Sequence, residues 1–239
     1  MASLSSHDDS ALVNAVDELV ALLVAEEPLE TVMDRVVAFA CAGIDGCDLA
    51  SVTYMRDGKP ETIACTDEVA NEIDQAQYGA DDGPCLQAFR TQQVISVPSM
   101  VAEDRWVEFR DAAQERGVHS SFSLWLAAGP QPVGALNLYS RQDHGFSSVP
   151  SESARQFAKQ AAVAIWSAGT AARARALIAN LQIAVEGRDL IGMAKGVIMA
   201  NEKVTPDQAF AILRTVSQQR NVKVRDLASD IVATGVTPA

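Results

Sequence analysis

Histidine is nearly missing from this chain of 239 residues: His7, His119 and His144 lie far apart and form no metal-ligand or acid–base pairing. The four cysteines, Cys41, Cys47, Cys65 and Cys85, contain no Cys-x-x-Cys pair and have no histidine at ligand spacing. No metal site is therefore expected, and the cysteines read as reduced, small hydrophobes, with a redox role for one of them an open alternative. A glycine-rich phosphate loop and a nucleophile–base pair are also lacking. No catalytic residue is assigned, no cofactor is implied, and an enzyme is not expected. No apolar run approaches the length of a membrane span, and the N-terminus offers neither a basic region nor an apolar one. A membrane anchor and a secretory signal are thus not expected, and the cytoplasm is the default location.

What is present is the composition of a folded protein, 48% hydrophobic and 21% charged, enough for one large domain or two ordinary ones. The net charge of −12 conceals an asymmetry. Residues 173–239 hold nine Lys/Arg against six Asp/Glu, net +3, which leaves −15 on residues 1–172. That division points to a polyanion met only by the C-terminal part, with the acidic remainder repelling nucleic acid.

Leu12, Val16, Leu19, Val20 and Leu23 recur at helical spacing over residues 11–24. After Pro28 a second helix follows with Leu29, Val32, Val36, Val37 and Ala40, ending at Gly43 and Gly46. Leu49–Met55 and Glu61–Cys65 read as the strands of a hairpin turning at Asp57-Gly58. Residues 67–77 read as a polar helix, and Pro84 opens a short one. Val94–Val97 reads as a strand closed by Pro98, and Trp106, Phe109 and Ala113 mark a helix closed by Gly117. Ser120–Ala128 and Val133–Tyr139 are strands joined at Gly129-Pro130. This order predicts an α+β domain with a central antiparallel sheet and flanking helices.

From Ser148 and Pro150 a helical pattern runs through Phe157, Ala161, Ala164 or Ile165, Ala168, Leu177, Leu181, Ala184 and Ile191, with no proline from 151 to 205. So long a run predicts a coiled coil and, through it, a homodimer. Thr205-Pro-Asp-Gln208 supplies an N-cap, a proline at the first helical position and the partner of a capping box. Asn221 breaks that helix, and Val224, Leu227, Ala228 and Ile231 form another, ended by Gly235. Residues 175–235 then make an all-α three-helix unit with Met199, Ala209, Phe210, Leu213, Val216, Leu227 and Ile231 expected in its core. The expected domains are 1–170 and 171–239.

Arg188, Gly192, Lys195 and Met199 are four, three and four residues apart and share a stripe of the long helix. Either Gly192 and Gly196 let a neighbouring helix pack closely, or a glycine between two cations leaves a low surface for a bulky anion. Each glycine costs about 1 kcal/mol relative to alanine inside a helix, which calls for a compensating use. Packing within the three-helix unit is expected of both glycines and of Ala194, beside the anion surface.

The stretch Arg188-x-x-Ile191-Gly-x-Ala194-Lys-Gly-x-Ile198-Met199, followed by Ala209-Phe-x-x-Leu213-Arg-x-x-Ser217-Gln-x-x-Asn221-x-Lys223-x-x-x-Leu227-Ala228, strongly resembles the ANTAR domain. Residues 29–168 more loosely resemble a GAF domain of the kind joined to ANTAR in actinobacterial regulators. Gly83-Pro-Cys85, Arg105-Trp106, Gly117-Val-x-Ser120, Gly134-Ala-Leu-Asn-Leu-Tyr-Ser140 and Phe157-Ala158 carry that likeness. Trp125 departs from it, since such domains commonly have proline before leucine there, and no receiver domain is found. The resemblance implies a dimeric transcription antiterminator. It would bind paired hairpins of a nascent leader RNA, so that a terminator does not form, in response to a signal sensed by the GAF domain.

On that footing Arg188, Lys195, Arg214, Ser217, Gln218, Asn221 and Lys223 are the expected RNA-binding residues: cations hold phosphates, and amides read the edges of loop bases. Ser217 has two readings, donor to a phosphate or cap of a backbone carbonyl. Tyr54, Cys85, Trp106, Phe122 and Trp125 are the expected lining of a pocket for a small effector, against the alternative that they are ordinary core. Two other functions compete: a DNA-binding regulator using the last helices, for which Gln218–Lys223 lacks the usual turn glycine, and a GAF sensor whose tail recruits a protein.

Overall fold

The computed structural model describes residues 8–23, 27–56 and 58–237, and side chains from residue 11 onwards. The N-terminus read for a secretory signal, His7, Val24 of the first expected helix and Asp57 of the expected turn lie outside the described residues. The chain forms two compact units that meet between Ala172 and Arg173.

The first unit runs α1 (Asp8–Leu22), α2 (Leu29–Gly43), β1 (Leu49–Arg56), β2 (Lys59–Cys65), α3 (Glu68–Ala80), α4 (Pro84–Thr91), β3 (Ile95–Val97), α5 (Val107–Glu115), β4 (Ser120–Ala128) and β5 (Gln131–Ser140). Its five strands pair antiparallel in the order β2-β1-β5-β4-β3. Helix boundaries follow local chemistry. The Asp67 side chain accepts from the Val69 N–H at the start of α3, and Pro84 occupies the first turn of α4, where its missing N–H costs nothing.

Cross-strand rows assign the two faces of the sheet, because directly paired residues point the same way. One face carries the rows Ala50–Leu138–Phe122 and Val52–Leu136–Leu124. It packs on Leu19 of α1, Val32 and Val36 of α2, and Phe157, Ala161 and Ile165 of the first part of α6 (Ser151–Glu202). The other carries Leu49, Ile95, Val97 and Tyr139 beneath Ile73 of α3, Ala88 of α4, and Phe109 and Ala113 of α5. Each aliphatic side chain buried in these layers contributes about 1.5–3 kcal/mol relative to exposure.

In the second unit the rest of α6 packs with α7 (Pro206–Arg220) and α8 (Val224–Thr234). Thr205 and Gln208 close a reciprocal capping box at the start of α7, and Asn221, with φ of 52°, ends it in a left-handed C-cap. The core comprises Ala194, Ile198, Ala209, Leu213, Val216, Leu227, Ala228 and Ile231, with Met199 half-buried against it. Two expectations are corrected. Phe210 is 41% exposed: Ala209, Leu213 and Val216 already define the buried stripe, and the next residue turns about 100° away from it. Gly192 and Gly196 do not serve packing within the unit, since a Cβ at either would meet open space. The packed glycine is Gly187, on which the Arg225 side chain of α8 lies.

Strands β1 and β5 pair closely at Gly134, where a Cβ would run into the Thr53 carbonyl oxygen. Gly134→Ala must therefore push the two strands apart, and a loss of about 1–3 kcal/mol is expected, the usual cost of overpacking. Urea unfolding followed by tryptophan fluorescence measures it, and an unchanged midpoint would refute the close approach.

Candidate functional site

In the second unit, Phe210, Arg214 and Gln218 are four apart on α7, Asn221 is its left-handed C-cap, and all four are exposed. Helical spacing aligns Phe210, Arg214 and Gln218 on the surface turned away from Ala209, Leu213 and Val216, and Asn221 follows at the helix end. Arg188 is exposed on α6 and Lys195 half-buried there, seven residues on, while Lys223 is exposed at the N-cap of α8. Among the described residues, none of Arg188, Lys195, Arg214 and Lys223 has an ion-pair partner.

Ser217 does not belong with them. It is 7% exposed, and its hydroxyl donates to the Val222 carbonyl at 2.6 Å. Of its two readings, the carbonyl cap is the one observed: it closes the α7–α8 turn. Asn221 has a structural task as well, since its backbone supplies the left-handed C-cap, yet its side chain remains in solvent. Phe210, read from sequence as core, joins the exposed stripe.

The five expected effector-pocket residues do not line one pocket, and strand alternation is the reason. Phe122 and Tyr54 face the α1–α2–α6 side, where Phe122 stacks on Phe146 at 5.8 Å between ring centroids and Tyr54 lies beside Leu29 and Met33. Cys85 and Trp106 lie beyond the opposite face: Cys85 Sγ donates to Thr53 Oγ1 at 3.1 Å, and Trp106 Nε1 donates to Asp82 Oδ1 at 3.2 Å. Trp125 shares that face through its row with Ala135 but opens onto a groove of about 940 Å³ with Gln92, Arg155 and Lys159.

What that face does hold is a buried polar network that was not expected. Asp74 of α3 accepts from Tyr139 Oη at 2.6 Å, from Asn137 Nδ2 at 3.0 Å and from Thr62 Oγ1 at 2.9 Å. The Tyr78 hydroxyl bridges Thr53 and Thr62, each at 2.8 Å. Gln77 Oε1 accepts from the Cys85 N–H, and this close passage demands glycine at residue 83, where a Cβ would strike the Gln77 side chain and φ is +154°. Beside the network, Ser121 Oγ, Ser123 Oγ, Trp125 Nε1 and Asn137 Oδ1 are buried with no hydrogen-bond partner among the described residues. A sequence signal existed: Ser51 and Thr53 alternate with Ala50 and Val52, Ser121 and Ser123 with Phe122 and Leu124, and Asn137 with Leu136 and Leu138. Alternation of this kind marks two chemically different faces.

The network sets unusual acidities. Burial pushes the Asp74 carboxyl up to about 6, although hydrogen bonds from Ser51, Tyr139, Thr62 and Asn137 act against the rise. Burial, with the charge of Asp74 nearby, pushes the Cys85 thiol up to about 12 and raises the Tyr139 hydroxyl. Cys85 is therefore a protonated, unreactive thiol. Cys41 and Cys47 differ from the expected isolated hydrophobes: both are half-buried and their sulfurs lie 3.1 Å apart.

A sheet backed by α1, α2 and α6 on one side and covered by three short helices on the other is an α+β module, and an all-α unit follows it. Comparison with known families agrees. The GAF domain model matches residues 26–165 and the ANTAR domain model residues 179–232. The GAF match spans more than half the chain, which belongs to that family, and the two matches together give it a GAF–ANTAR regulator architecture. The structure is similar to the GAF domain of a phosphoenolpyruvate-protein phosphotransferase from Coxiella burnetii, at 18% identity and a TM-score of 0.52 over 73% of this chain and 99% of that one. It is also similar to the Stigmatella aurantiaca phytochrome photosensory core module, at 14% and 0.57 over 88% and 45%. The A. aeolicus nlh2 GAF domain in an inactive state is similar at 9% and 0.51 over 66% and 97%. At these identities the likeness concerns fold alone. No curated protein matches the chain. No described helix is long and apolar enough to cross a membrane.

A carboxyl whose acidity is weakened by folding binds its proton more tightly in the folded than in the unfolded chain. The Asp74 contribution to stability is therefore fully present below its ordinary value of 3.8 and is lost as pH rises towards 6. Comparing the protein with its Asp74→Asn variant isolates that contribution. The stability difference between the two is expected to change by roughly 2–3 kcal/mol between about pH 4 and pH 7. Urea midpoints across that range test it, and a pH-independent difference would rule out the raised carboxyl.

Proposed function

We propose that the protein is a dimeric, RNA-binding transcription antiterminator, with residues 1–170 as its sensor domain and 171–239 as its RNA-binding domain. It would engage paired hairpins in nascent leader RNA, under control of a signal received by the GAF domain. The observation that carries this reading is the stripe of α7. An aromatic ring, a guanidinium and an amide, Phe210, Arg214 and Gln218, stand exposed on one helix face, with the exposed amide of Asn221 at its C-cap. Those are the groups that single-stranded loop bases require: a stacking platform, a phosphate clamp and edge-reading donors and acceptors. Arg188, Lys195 and Lys223 add cations that hold phosphates. The role is regulatory and not catalytic.

Support for the homodimer comes from α6. Leu177, Ile178, Leu181, Ile183 and Val185 are all about half or more exposed on this helix. Leu177, Leu181 and Ala184 follow at four and three residues, and Ile178 and Val185 at seven, the repeat of a coiled-coil seam. A second copy of the same helix covers such a seam, and two RNA-binding units in one dimer gain avidity for two hairpins on one transcript. For the GAF domain, Ser121, Ser123, Trp125 and Asn137 supply unpartnered polar atoms suited to a small hydrogen-bonding effector.

Electrophoretic mobility shifts with a paired-hairpin RNA at several salt concentrations test the reading. Arg214→Ala is expected to weaken binding about tenfold and to lower the slope of log affinity against log salt by about one. Phe210→Ala is expected to weaken binding by a comparable factor without changing that slope, because stacking releases no counterions. Leu177→Asp with Leu181→Asp should yield monomers in sedimentation and abolish the preference for paired over single hairpins. Equal affinity for duplex DNA, or no structured-RNA binding at low salt, would overturn the proposal.

A further inference from the structure

The helix α2 ends at Gly43, and the connection to β1 brings Cys47 back onto Cys41, one turn inside the helix. The two sulfurs lie 3.1 Å apart, close enough that a small side-chain rotation brings them to bonding distance. The single S–H of Cys47 has two acceptors in reach, the Cys41 sulfur and the Leu49 carbonyl oxygen at 3.3 Å. The hydrogen bond from Cys47 holds the Cys41 thiol below its ordinary range, whereas the same bond and burial push Cys47 up. Cys41 is thus the more acidic of the two thiols, suited to attack, and Cys47 the one left to resolve. Both line a surface cavity of about 510 Å³ with Asp45, Asp48, Gln142 and His144, so a small solute reaches them. The other two cysteines have no such arrangement, and Cys85 is sealed in the core.

We propose that Cys41 and Cys47 form a peroxide-sensitive thiol pair that closes reversibly to a disulfide. The oxidant is hydrogen peroxide or another small hydroperoxide. The Cys41 thiolate attacks a peroxide oxygen, the O–O bond breaks, and the departing hydroxide takes up a proton to leave as water, with Cys41 oxidised to a sulfenic acid. The Cys47 sulfur then attacks that sulfur, the S–O bond breaks, and the hydroxyl departs with the Cys47 proton as a second water. Two thiols and one peroxide become one disulfide and two waters, and a dithiol reverses the change. A disulfide of this kind, made and unmade in a reducing compartment, is a signal and not a staple.

The pair is well placed to be felt elsewhere in its unit. The connection that carries Cys47 is tied to the segment leading into α6. Asp48 Oδ2 accepts from the Arg141 N–H at 2.6 Å and from Ser140 Oγ at 3.2 Å, and Asp45 Oδ2 accepts from Ser148 Oγ at 2.9 Å. Drawing Cys47 towards α2 pulls on the same short connection that positions these two carboxylates.

The test needs no RNA, so it fails or succeeds separately from the antiterminator reading. The reduced full-length protein is exposed to hydrogen peroxide, unfolded in N-ethylmaleimide and digested with trypsin. The peptide spanning residues 36–56 contains both cysteines and no internal Lys or Arg. It is expected to be two hydrogens lighter and unlabelled, and to take up two labels after dithiothreitol. In Cys47→Ser, dimedone should trap a sulfenic acid on Cys41, whereas Cys41→Ser should leave Cys47 unmodified. Should a variant not fold, the wild-type peptide mass alone decides. Double labelling after peroxide, a bond from Cys41 to Cys65 or Cys85, or irreversible sulfinic acid as the product would each overturn the proposal.

Discussion

A carboxylate that water does not reach ties the sensor unit together. Asp74 leaves α3 to accept hydrogen bonds from two neighbouring residues of one face of β5, Asn137 and Tyr139, and from Thr62 of β2. Burying an unpaired carboxylate costs many kcal/mol, so the group persists only while each of those donors stays in place. The register of β5 against β1, and the seat of α3 over both, are therefore mutually dependent. A shift of one residue in β5 would send Asn137 and Tyr139 to the apolar side and strand the acid. The neighbouring unpartnered atoms of Ser121, Ser123 and Asn137 belong to the same face. The sheet is thus apolar on the side of α1, α2 and α6 and partly polar on the side of α3, α4 and α5.

Two sets of hydrogen bonds converge on β5 and its end. The polar face holds β5 through Asn137 and Tyr139, while Asp48, next to the Cys41–Cys47 pair, holds Ser140 and Arg141 at its end. From Ser140 the chain needs only a short connection to reach α6, the helix of 52 residues that runs from the sensor unit into the output unit. Under the proposed function, this helix, shared by both units and carrying an apolar seam of its own, is the element that would carry a change in one to the other. Such a change is a bias on a pre-existing equilibrium, limited by how differently the signal binds the two states.

Much of the fold was legible in the order of residues. The capping box of Thr205 and Gln208, the proline openings of α4 and α7, and the alternation in β1, β4 and β5 are local events, decided by bonds within a few residues. The GAF and ANTAR motifs were readable for the same reason. The seven expected contacts on the output unit were less so. Six remain half-buried or exposed, but Ser217 is turned inward to cap Val222, and Phe210, taken for core, is turned outward. A hydrophobic residue next to a buried stripe can fall on either side, and a rotation of about 100° per residue decides it only once the neighbouring helices are in place.

The effector residues show the same division more sharply. Tyr54, Cys85, Trp106, Phe122 and Trp125 were grouped by residue type, yet the sheet separates them onto opposite faces. By itself the sequence determined the elements, their order, the charge asymmetry and the family, since each is written in short-range pattern or composition. Only the tertiary structure decided which side chains meet: Asp74 with Tyr139 across 65 positions, Cys85 with Thr53 across 32, and the sulfurs of Cys41 and Cys47 across a helix end. Those meetings depend on strand register and on where a connection turns back, and neither is encoded in any single stretch of chain.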